Sequence, residues 1–448
     1  MRPDRTLSSY NLNLLEVPLS QFINTSHELV ILSDRINWGK LEDVFGKYYA
    51  DVGRKGVQTR LILGLVILQY TYNLSDEGVC ARWVENPYFQ YFCGEKFFCH
   101  KLPINRTNLT KWRKRVGAEE LDKVLQETLA QAHCLGALTV EDVKKVVVDT
   151  TVQTKAVDYP SESKLLVDAI LDLGRQAKKG GLKLKQNYRF VAKELAAKIS
   201  GYAHARQMKR VKTGVKQLRR VLFKLRKRIE GSLLQSGISA SHQLTEKMER
   251  SLKVLAQEYK GSNQLLVWHA PEVECISKGK ARDRYEFGVK VSIATTINRA
   301  RGGHFILSSS AIQGRPYDGH TLKETIEQVE SITGVDIDRI YVDKGYRGHN
   351  YEHPHKVFRS GQKRGVFGQI KRELRRRSAI EPIIGHAKMS HKLDRHRLKG
   401  MLGDKINAIY SAIGFNFRQL LNWIKQSLLF LLYLIRIFFI KPPKTAHC

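Results

Sequence analysis

Three acidic residues stand where a sheet protein places reactive carboxylates. Asp149 lies in the valine-rich segment VVVDTTV, Asp343 follows the segment RIYV, and Glu381 comes 38 residues later in a segment with helical character. Carboxylates at the ends of neighbouring strands of an α/β sheet lie at the edge where ligands bind, and a helix packed on that edge can add a third. We therefore expect the side chains of Asp149, Asp343 and Glu381 to form one site.

Such a set of carboxylates is suited to metal-dependent phosphoryl transfer. Hard cations prefer oxygen ligands, and two Mg²⁺ ions about 4 Å apart can activate a water or 3′-hydroxyl nucleophile and stabilise the leaving oxygen. Each acid also has a structural interpretation on its own. Asp149 can cap a turn through the hydroxyls of Thr150 and Thr151, and Glu381 can simply pair with Arg377.

The predicted helix around Glu381 carries cations on the same face as the acid. At 100° per residue, Arg377 lies about 40° from Glu381, Lys388 about −20° and Lys392 about +20°. Pairing on a surface helix explains Arg377 but not Lys388. We therefore predict that Arg377, Lys388 and Lys392 contact DNA phosphates beside the acids.

The segments around these acids predict a mixed α/β sheet. Runs rich in β-branched and aromatic residues are typical of strands. They occur at 144–152, 284–297, 302–312, 338–348 and 355–361. Helices are predicted at about 320–332 and from 371 onward.

A long helical segment interrupts this pattern between the first and second predicted strands. It contains a heptad series of apolar residues, typical of packed helices, at Met208, Val211, Val215, Leu218, Leu222, Leu225 and Ile229. A returning series follows at Leu244, Met248, Leu252, Leu255 and Tyr259. We predict an antiparallel, coiled-coil-like helical hairpin within a basic insertion at 155–270.

The charge distribution favours nucleic acid as the partner. The 448 residues carry a net charge of +33, of which +16 lies in residues 171–230 and +11 in residues 356–400. Solvation alone calls for mixed signs, whereas single-sign runs call for a polyanion. In the insertion, the predicted DNA contacts are Arg219, Arg220, Arg226 and Lys227.

A hydrophobic content of 42% excludes wholesale disorder.

The sequence predicts a helical domain in the first 138 residues. The segment 104–117 predicts a short helix, capped by Asn105 or Thr107, that exposes several cations including Arg113. Two interpretations stay open for this helix: the reading helix of a helix-turn-helix motif that binds DNA, or a plain basic surface helix.

The two ends of the chain bear on its location. The N-terminus lacks the pattern of a signal peptide, which favours a cytoplasmic, nucleoid-associated protein. The apolar segment 427–440 is shorter than a membrane span and contains Arg436, so a buried terminal helix or an apolar tail is favoured over a membrane anchor.

Three of these segments resemble the catalytic blocks of bacterial DDE-type insertion-sequence transposases, in particular insertion-sequence family five. The segments are VVVDTTVQ, YVDKGYRG and RRRSAIEPIIGHAK. The third block of that family has the pattern Y-x2-R-x3-E-x6-K, which Arg377, Glu381 and Lys388 fit, whereas Leu374 stands at the tyrosine position. The resemblance spans roughly residues 40–425 and includes a helical N-terminal domain and closing helices.

The resemblance implies an α/β ribonuclease-H-like core, with Asp149, Asp343 and Glu381 as metal ligands and two ions of Mg²⁺ (or Mn²⁺) as cofactor. Asp318 and His320 belong to a recurrent stretch of that family, although Asp318 or Thr321 capping the next helix is the favoured interpretation. The implied domains are 1–138 for DNA binding, 139–425 for catalysis with the insertion inside it, and a tail at 426–448.

The implied function is that of a transposase that cleaves the ends of its own element. It would bind the terminal inverted repeats in double-stranded DNA and join the freed 3′-hydroxyls to target DNA. A homodimer or higher assembly is expected because two ends are handled together. The alternatives are a stand-alone two-metal nuclease and a catalytically silent DNA-binding protein derived from a transposase.

Overall fold

The structure is a computed structural model that describes residues 17–50, 52, 56–237, 239–258, 264–277 and 284–439, with side chains described as far as Phe430. It divides into two compact units. Unit 1 consists of the described parts of 1–154 and 289–448, and unit 2 consists of those of 155–288. Each unit is described by itself.

Helices form the N-terminal part of unit 1. In chain order they are α1 (Leu19–Phe22), α2 (Glu28–Arg35), α3 (Trp38–Phe45), α4 (Thr59–Thr71), α5 (Asp76–Glu85), α6 (Pro87–Phe92), α7 (Thr107–Arg113), α8 (Ala118–Cys134) and α9 (Val140–Val143).

Polar side chains cap the first turn of several of these helices. The Ser75 hydroxyl accepts the backbone N–H of Gly78 at the start of α5, and Thr139 and Asp142 form a reciprocal capping box at α9. At α7 the Asn105 side chain accepts the N–H of Thr107, although the first residue before the helix is Arg106. Local hydrogen bonding therefore sets these boundaries.

The remaining elements belong first to unit 1, then to unit 2, and then to unit 1 again. They are β1 (Lys145–Thr154), α10 (Glu162–Lys179), α11 (Arg189–His204), α12 (Met208–Ser236), α13 (His242–Ala256), β2 (Glu274–Ser277), β3 (Tyr285–Thr296), β4 (Ile306–Ile312), α14 (Leu322–Thr333), β5 (Arg339–Val342), β6 (Val357–Arg359), α15 (Gly368–Arg376), α16 (Ile380–Ser390) and α17 (Gly400–Phe439).

The sheet of unit 1 is mixed. Its strands follow the order β4, β3, β1, β5, β6, with β1, β5 and β6 parallel and β3 and β4 antiparallel. In unit 2, β2 pairs antiparallel with residues Tyr285–Gly288 of β3. The predicted strands are confirmed, whereas β2 was not predicted.

Two boundaries near the acids differ from the expectation. β1 continues five residues beyond Asp149 to Thr154, so Asp149 lies within the strand. The single helix predicted from 371 is two helices, α15 and α16, joined by a 3₁₀ turn at Arg377–Ala379. Pro382 accounts for the break, because its ring excludes the carbonyl group four residues earlier and it has no N–H to donate.

The core of unit 1 joins the N-terminal helices to the sheet and to α17. α4 is buried along almost its whole length and packs on α17, which also packs on α8 and β4. Gly414 of α17 permits this approach, since a Cβ atom there would lie 2.7 Å from the backbone carbon of Tyr70. A larger residue at 414 would push α17 away from α4.

The C-terminal apolar segment emerges from this core. Ile424 of α17 is buried, whereas Leu429 and Phe430 are mostly exposed. The helix continues to Phe439, and residues 440–448 lie outside the described residues. Of the two favoured alternatives, the exposure of Leu429 and Phe430 agrees with an apolar tail and not with a buried terminal helix at these positions. Among the described helices, none is both long enough and apolar enough to cross a membrane.

A partly buried acid of unit 1 makes the stability of the protein depend on pH. Asp122 lies between α8 and α14, where burial raises the pKa of its carboxyl group to about 6 although the Gln328 amide donates to both its oxygens. The folded state then binds more protons than the unfolded state, so stability falls as pH rises from about 4 to about 6.

Asp122→Asn is therefore expected to raise the free energy of unfolding above pH 6 by about 2 kcal/mol and to flatten its pH dependence. Urea denaturation between pH 4 and pH 8 measures both effects, with Glu85→Gln, which changes an exposed acid of α5, as the control. An unchanged pH dependence in Asp122→Asn would show that the buried carboxyl is not the source.

Unit 2 is built from α10, α11, α12 and α13. The heptad positions in the middle of α12 are buried as predicted, at Leu218, Leu222, Leu225 and Ile229, but Met208 is exposed. In α13, Leu244 and Met248 are buried, whereas Leu252 is exposed and Ser251 and Val254 are buried instead. Tyr259 lies outside the described residues.

The predicted two-helix hairpin is only part of the helical assembly in unit 2. α10 and α11 also pack on α12, and α10 packs on α13. The hydrophobic core of unit 2 therefore includes residues of α10 such as Leu166 and Ile170. The additional helices explain why α13 does not use a strict heptad series.

Candidate active site

The pairing of β1 with β5 brings the first two acids to one end of the sheet. The strands are parallel, and Val147 of β1 is in register with Tyr341 of β5. Asp149 and Asp343 each lie two residues beyond this pair. Their side chains therefore project from corresponding positions of neighbouring strands.

Glu381 and Arg377 lie at the same end of the sheet, although they come from a later part of the sequence. Glu381 is in the first turn of α16, and Arg377 opens the 3₁₀ turn before it. α16 packs on β1, which places this turn at the end of the sheet that carries Asp149.

The guanidinium group of Arg377 lies among all three carboxylates. Its Nη1 donates to Oδ2 of Asp149 at 3.4 Å, and its Nη2 lies 3.8 Å from Oδ1 of Asp343 and 3.4 Å from Oε1 of Glu381. The structure thus brings together Asp149, Asp343, Glu381 and Arg377. Arg377 is largely buried in this cluster, with its side chain 12% exposed.

The three acids range from a buried to an exposed environment. The side chains of Asp149, Asp343 and Glu381 are 21%, 48% and 65% exposed, respectively. Burial raises the pKa of Asp149 to about 6, and the negative charges of Asp343 and Asp318 add to the effect, against the lowering influence of the Thr150 N–H and of Arg377. The lowering influence of Arg377 therefore does not outweigh the effect of burial on Asp149.

A fourth acid, Asp318, lies beside the cluster. Its Oδ1 accepts hydrogen bonds from Thr150 Oγ1 and from Lys290 Nζ, both at 2.8 Å. The expectation that Asp318 caps a helix is wrong, because the 3₁₀ turn at its position has no side-chain cap. Thr321 caps nothing either, since its hydroxyl donates to the Asp318 carbonyl.

Sequence reasoning underrated Asp318 and missed Tyr346. The ring of Tyr346 is buried, and burial, followed by the charges of Asp149 and Asp318, raises the pKa of its phenol well above the ordinary value. The recurrent family stretch RPYDGHTL was a signal for Asp318. Tyr346 follows Asp343 within YVDKGYRG, and only its burial distinguishes it from a turn residue.

The donor atoms of this site suit a hard cation. Asp149, Asp343 and Glu381 offer carboxylate oxygens, which Mg²⁺ and Mn²⁺ prefer. Burial is the main cause of the raised pKa of Asp149, and the neighbouring carboxylates add to it. Within the described residues, however, no three Asp, Glu, His or Cys side chains are already gathered as a metal site. Arg377 is the positive charge that the acids share here.

The other predicted contacts on the Glu381 helix fall in different places. Lys388 is on α16 as predicted and is half-buried. Lys392 lies beyond the end of α16 in a left-handed backbone conformation, with φ at 62°, so the predicted helical alignment with Glu381 is wrong for this residue. α16 ends at Ser390, before the position that the periodicity assumed.

Arg113 is not the exposed cation that the sequence predicted. Its side chain is 8% exposed and its guanidinium donates to both carboxylate oxygens of Asp76, at 2.9 and 3.0 Å, and to Oε1 of Gln69. The guanidinium is thus held inside unit 1 and is not available to DNA phosphates. Lys111 and Lys114 of the same region are exposed.

The four cations predicted to bind DNA in unit 2 divide into two groups. Arg219 contacts Glu162 at 2.6 Å and donates to the carbonyls of Leu255 and Gln257, and Arg226 pairs with Glu230 at 2.5 Å. Arg219 links α12 to α10 and to the end of α13, whereas Arg226 pairs within α12. Both guanidinium groups are engaged inside unit 2, so their predicted availability for DNA is wrong. Arg220 and Lys227 are exposed, and Lys227 also lies 3.3 Å from Glu230.

The N-terminal helices match a known protein family, and about half of the chain aligns with a known protein. Residues 17–115, which include α1 to α7, match the family described as a transposase domain (DUF772). A protein of Rhizobium meliloti described as uncharacterized protein ORF8 in the nfe locus is 44% identical over 207 residues, which are 46% of this chain and 100% of the relative. No solved structure shows a significant match. Because the whole of that relative aligns and the matched domain is a transposase domain, the chain belongs to a transposase family.

Proposed function

We propose that the protein is a DDE-type transposase of insertion-sequence family five, with a ribonuclease-H-like catalytic core. The observation that carries this proposal is the convergence of Asp149, Asp343 and Glu381 on one guanidinium at the end of the sheet. The mixed sheet, with parallel β1, β5 and β6 next to antiparallel β3 and β4, supports the core. The transposase domain at 17–115 supports the class of activity.

The three carboxylates would hold Mg²⁺ (or Mn²⁺). When bound, two such ions lower the pKa of a water or 3′-hydroxyl nucleophile and stabilise the leaving oxygen of a phosphodiester. The protein's own groups prepare the site: Arg377 offsets the repulsion between the acids, and the hydroxyl of Thr150 and the ammonium of Lys290 hold Asp318 beside them.

In this proposal the chain binds the terminal inverted repeats of its element and performs both cleavage and joining at one site. We keep the segments 1–138, 139–425 and 426–448 as proposed functional divisions, with 155–270 as a basic insertion. A dimer or higher assembly on double-stranded DNA follows from the need to handle two ends, and the nucleoid is the proposed location.

A transposition assay in cells tests the proposed function. The marker gene is flanked by the inverted repeats that bracket the reading frame in its genome, and the chain is supplied separately. We expect the marker to move and to be flanked at its new site by a short target duplication. Cleavage of the ends without any joining would favour a stand-alone nuclease, and binding without cleavage would favour a catalytically silent derivative.

Lys388 provides a test on the predicted DNA-facing side of α16. It lies two turns beyond Glu381, about 10 Å along the helix axis and about 20° away around it. Lys388→Ala is expected to weaken joining and to reduce the salt slope of DNA binding by about one, because one phosphate contact is lost.

The matched control for Lys388 is Lys399→Ala, which removes an exposed lysine that lies outside α16. Joining of a labelled element end to a target plasmid, and binding at a series of salt concentrations, give the two readouts. Full joining with an unchanged slope in Lys388→Ala would leave this lysine without a role at the phosphate.

A further inference from the structure

Five exposed cations form a stripe along α12 in unit 2. They are Lys209, Lys212, Lys216, Arg220 and Lys224, called here the α12 stripe. We propose that the α12 stripe binds the phosphate backbone of double-stranded DNA without sequence preference. The proposal deepens the proposed function, from which it takes only the choice of DNA as the polyanion.

The spacing of the stripe follows from helix geometry. Its members are three, four, four and four residues apart, so they lie within about 120° of one another around the axis and extend over about 22 Å. The buried residues Leu218, Leu222 and Leu225 lie on the opposite side of the helix. Hydrophobic packing of unit 2 therefore fixes which side of α12 faces solvent.

The α12 stripe differs from the other cations of the helix because its charges are not used within the protein. In the described part of the chain, none of its five side chains makes an ion pair or a side-chain hydrogen bond, whereas Arg219 and Arg226 are paired with Glu162 and Glu230. Glu230 is the single acid in the sequence of α12. Five like charges without a counter-charge repel one another, and an external polyanion relieves that repulsion.

The dimensions of the stripe match duplex DNA. Successive members four residues apart are separated by about 6 Å along the axis. Duplex DNA carries one negative charge for about every 1.7 Å of its length, so a 22 Å stripe lies beside roughly 13 phosphates. Backbone contact of this kind positions a protein on DNA but does not read bases.

Phe223 is the apolar member of the same surface. Its ring is half exposed and lies between Arg220 and Lys224 in sequence, within the angular range of the stripe. An exposed ring can stack on an unpaired base, which would favour single-stranded DNA. The experiment therefore separates charge from stacking and duplex from single strand.

The test uses the full chain and a 40-base-pair duplex of random sequence. One variant replaces all five stripe residues with Gln, and the matched control replaces five exposed lysines elsewhere in unit 2, namely Lys178, Lys179, Lys183, Lys185 and Lys193. Both variants lose the same charge. A third variant keeps the charge by replacing the four stripe lysines with Arg.

We expect the stripe variant to lose about tenfold or more in affinity at physiological salt and to flatten the salt slope by up to about 4.5, at 0.9 per lost contact. The control is expected to change both values much less, and the Lys-to-Arg variant to retain them. Equal losses in the stripe variant and the control would overturn the proposal. In the alternative outcome, Phe223→Ala loses more affinity than the stripe variant, and only for single-stranded DNA of the same length. That result would replace the proposed backbone contact with base stacking.

Two further readouts keep the outcomes separate. Circular dichroism of the stripe variant shows whether unit 2 stays folded, and if it does not, the comparison rests on the pair Lys216→Gln and Arg220→Gln. Cleavage at the element end depends on the acids of unit 1. A wild-type chain that binds through the stripe but never cleaves would contradict the proposed function and leave this inference standing.

Discussion

Asp149→Asn, Asp343→Asn and Glu381→Gln are each expected to reduce cleavage at the element end by about 100-fold or more, because each removes a charged ligand from a site that needs all three. The amides keep the size of the side chains and are expected to leave the fold intact. Binding of the end DNA is expected to persist, since most of its affinity comes from cations elsewhere in the chain. Cleavage of a labelled end duplex in Mg²⁺ or Mn²⁺ gives the measurement.

The matched control for the three amides is Asp336→Asn, which changes an exposed acid that pairs with Lys356 away from the cluster. It is expected to cleave as well as the unaltered chain. If any one of the three amides retains more than a few per cent of cleavage, that acid does not belong to the catalytic set. Loss of cleavage in the control as well would point to a general effect of lowered negative charge.

Arg113→Ala is expected to lower the free energy of unfolding by about 2 kcal/mol. This is less than the cost of breaking a fully buried ion pair, because the Asp76 side chain left behind is 29% exposed. Although burial raises the pKa of Asp76, hydrogen bonds and charge from Arg113 hold it below its ordinary value. Without Arg113, the carboxylate of Asp76 and the amide oxygen of Gln69 lose their shared partner. Urea denaturation of the full chain measures the loss.

Lys114→Ala is the control for Arg113, because Lys114 is the next residue and is exposed. It is expected to change stability by less than about 0.5 kcal/mol. A variant Arg113→Ala that unfolds like the unaltered chain but binds DNA more weakly would contradict the structure and restore the exposed, DNA-reading position predicted from the sequence.

Local sequence patterns were sufficient to predict the strand that contains Asp149 and the strand that precedes Asp343. Short runs rich in valine and isoleucine, such as those before Asp149 and Asp343, are strongly biased towards buried strands. The register of β1 with β5 then brings the two acids together. Helical periodicity also identified the buried side of α12, because Leu218, Leu222 and Leu225 repeat at heptad spacing.

Partners that are distant in sequence account for three of the wrong predictions. Arg113 is buried by Asp76, 37 residues earlier, and Asp318 is held by Thr150, 168 residues earlier. Arg219 is drawn inward by Glu162, 57 residues earlier. A basic residue on a predicted helix is expected to be exposed when its partner is not known. Local sequence patterns do not reveal a distant partner that buries it.

The most direct test of the proposed transposase activity is joining by the purified full chain. A labelled duplex that ends in the terminal repeat with a free 3′-hydroxyl is incubated with a target plasmid and Mg²⁺, and the junctions are sequenced. We expect plasmid molecules carrying the labelled end, with the two ends inserted at a fixed stagger, and no such products from Asp149→Asn. Specific binding of the repeat without any joined product, in Mg²⁺ or Mn²⁺, would contradict the proposed activity.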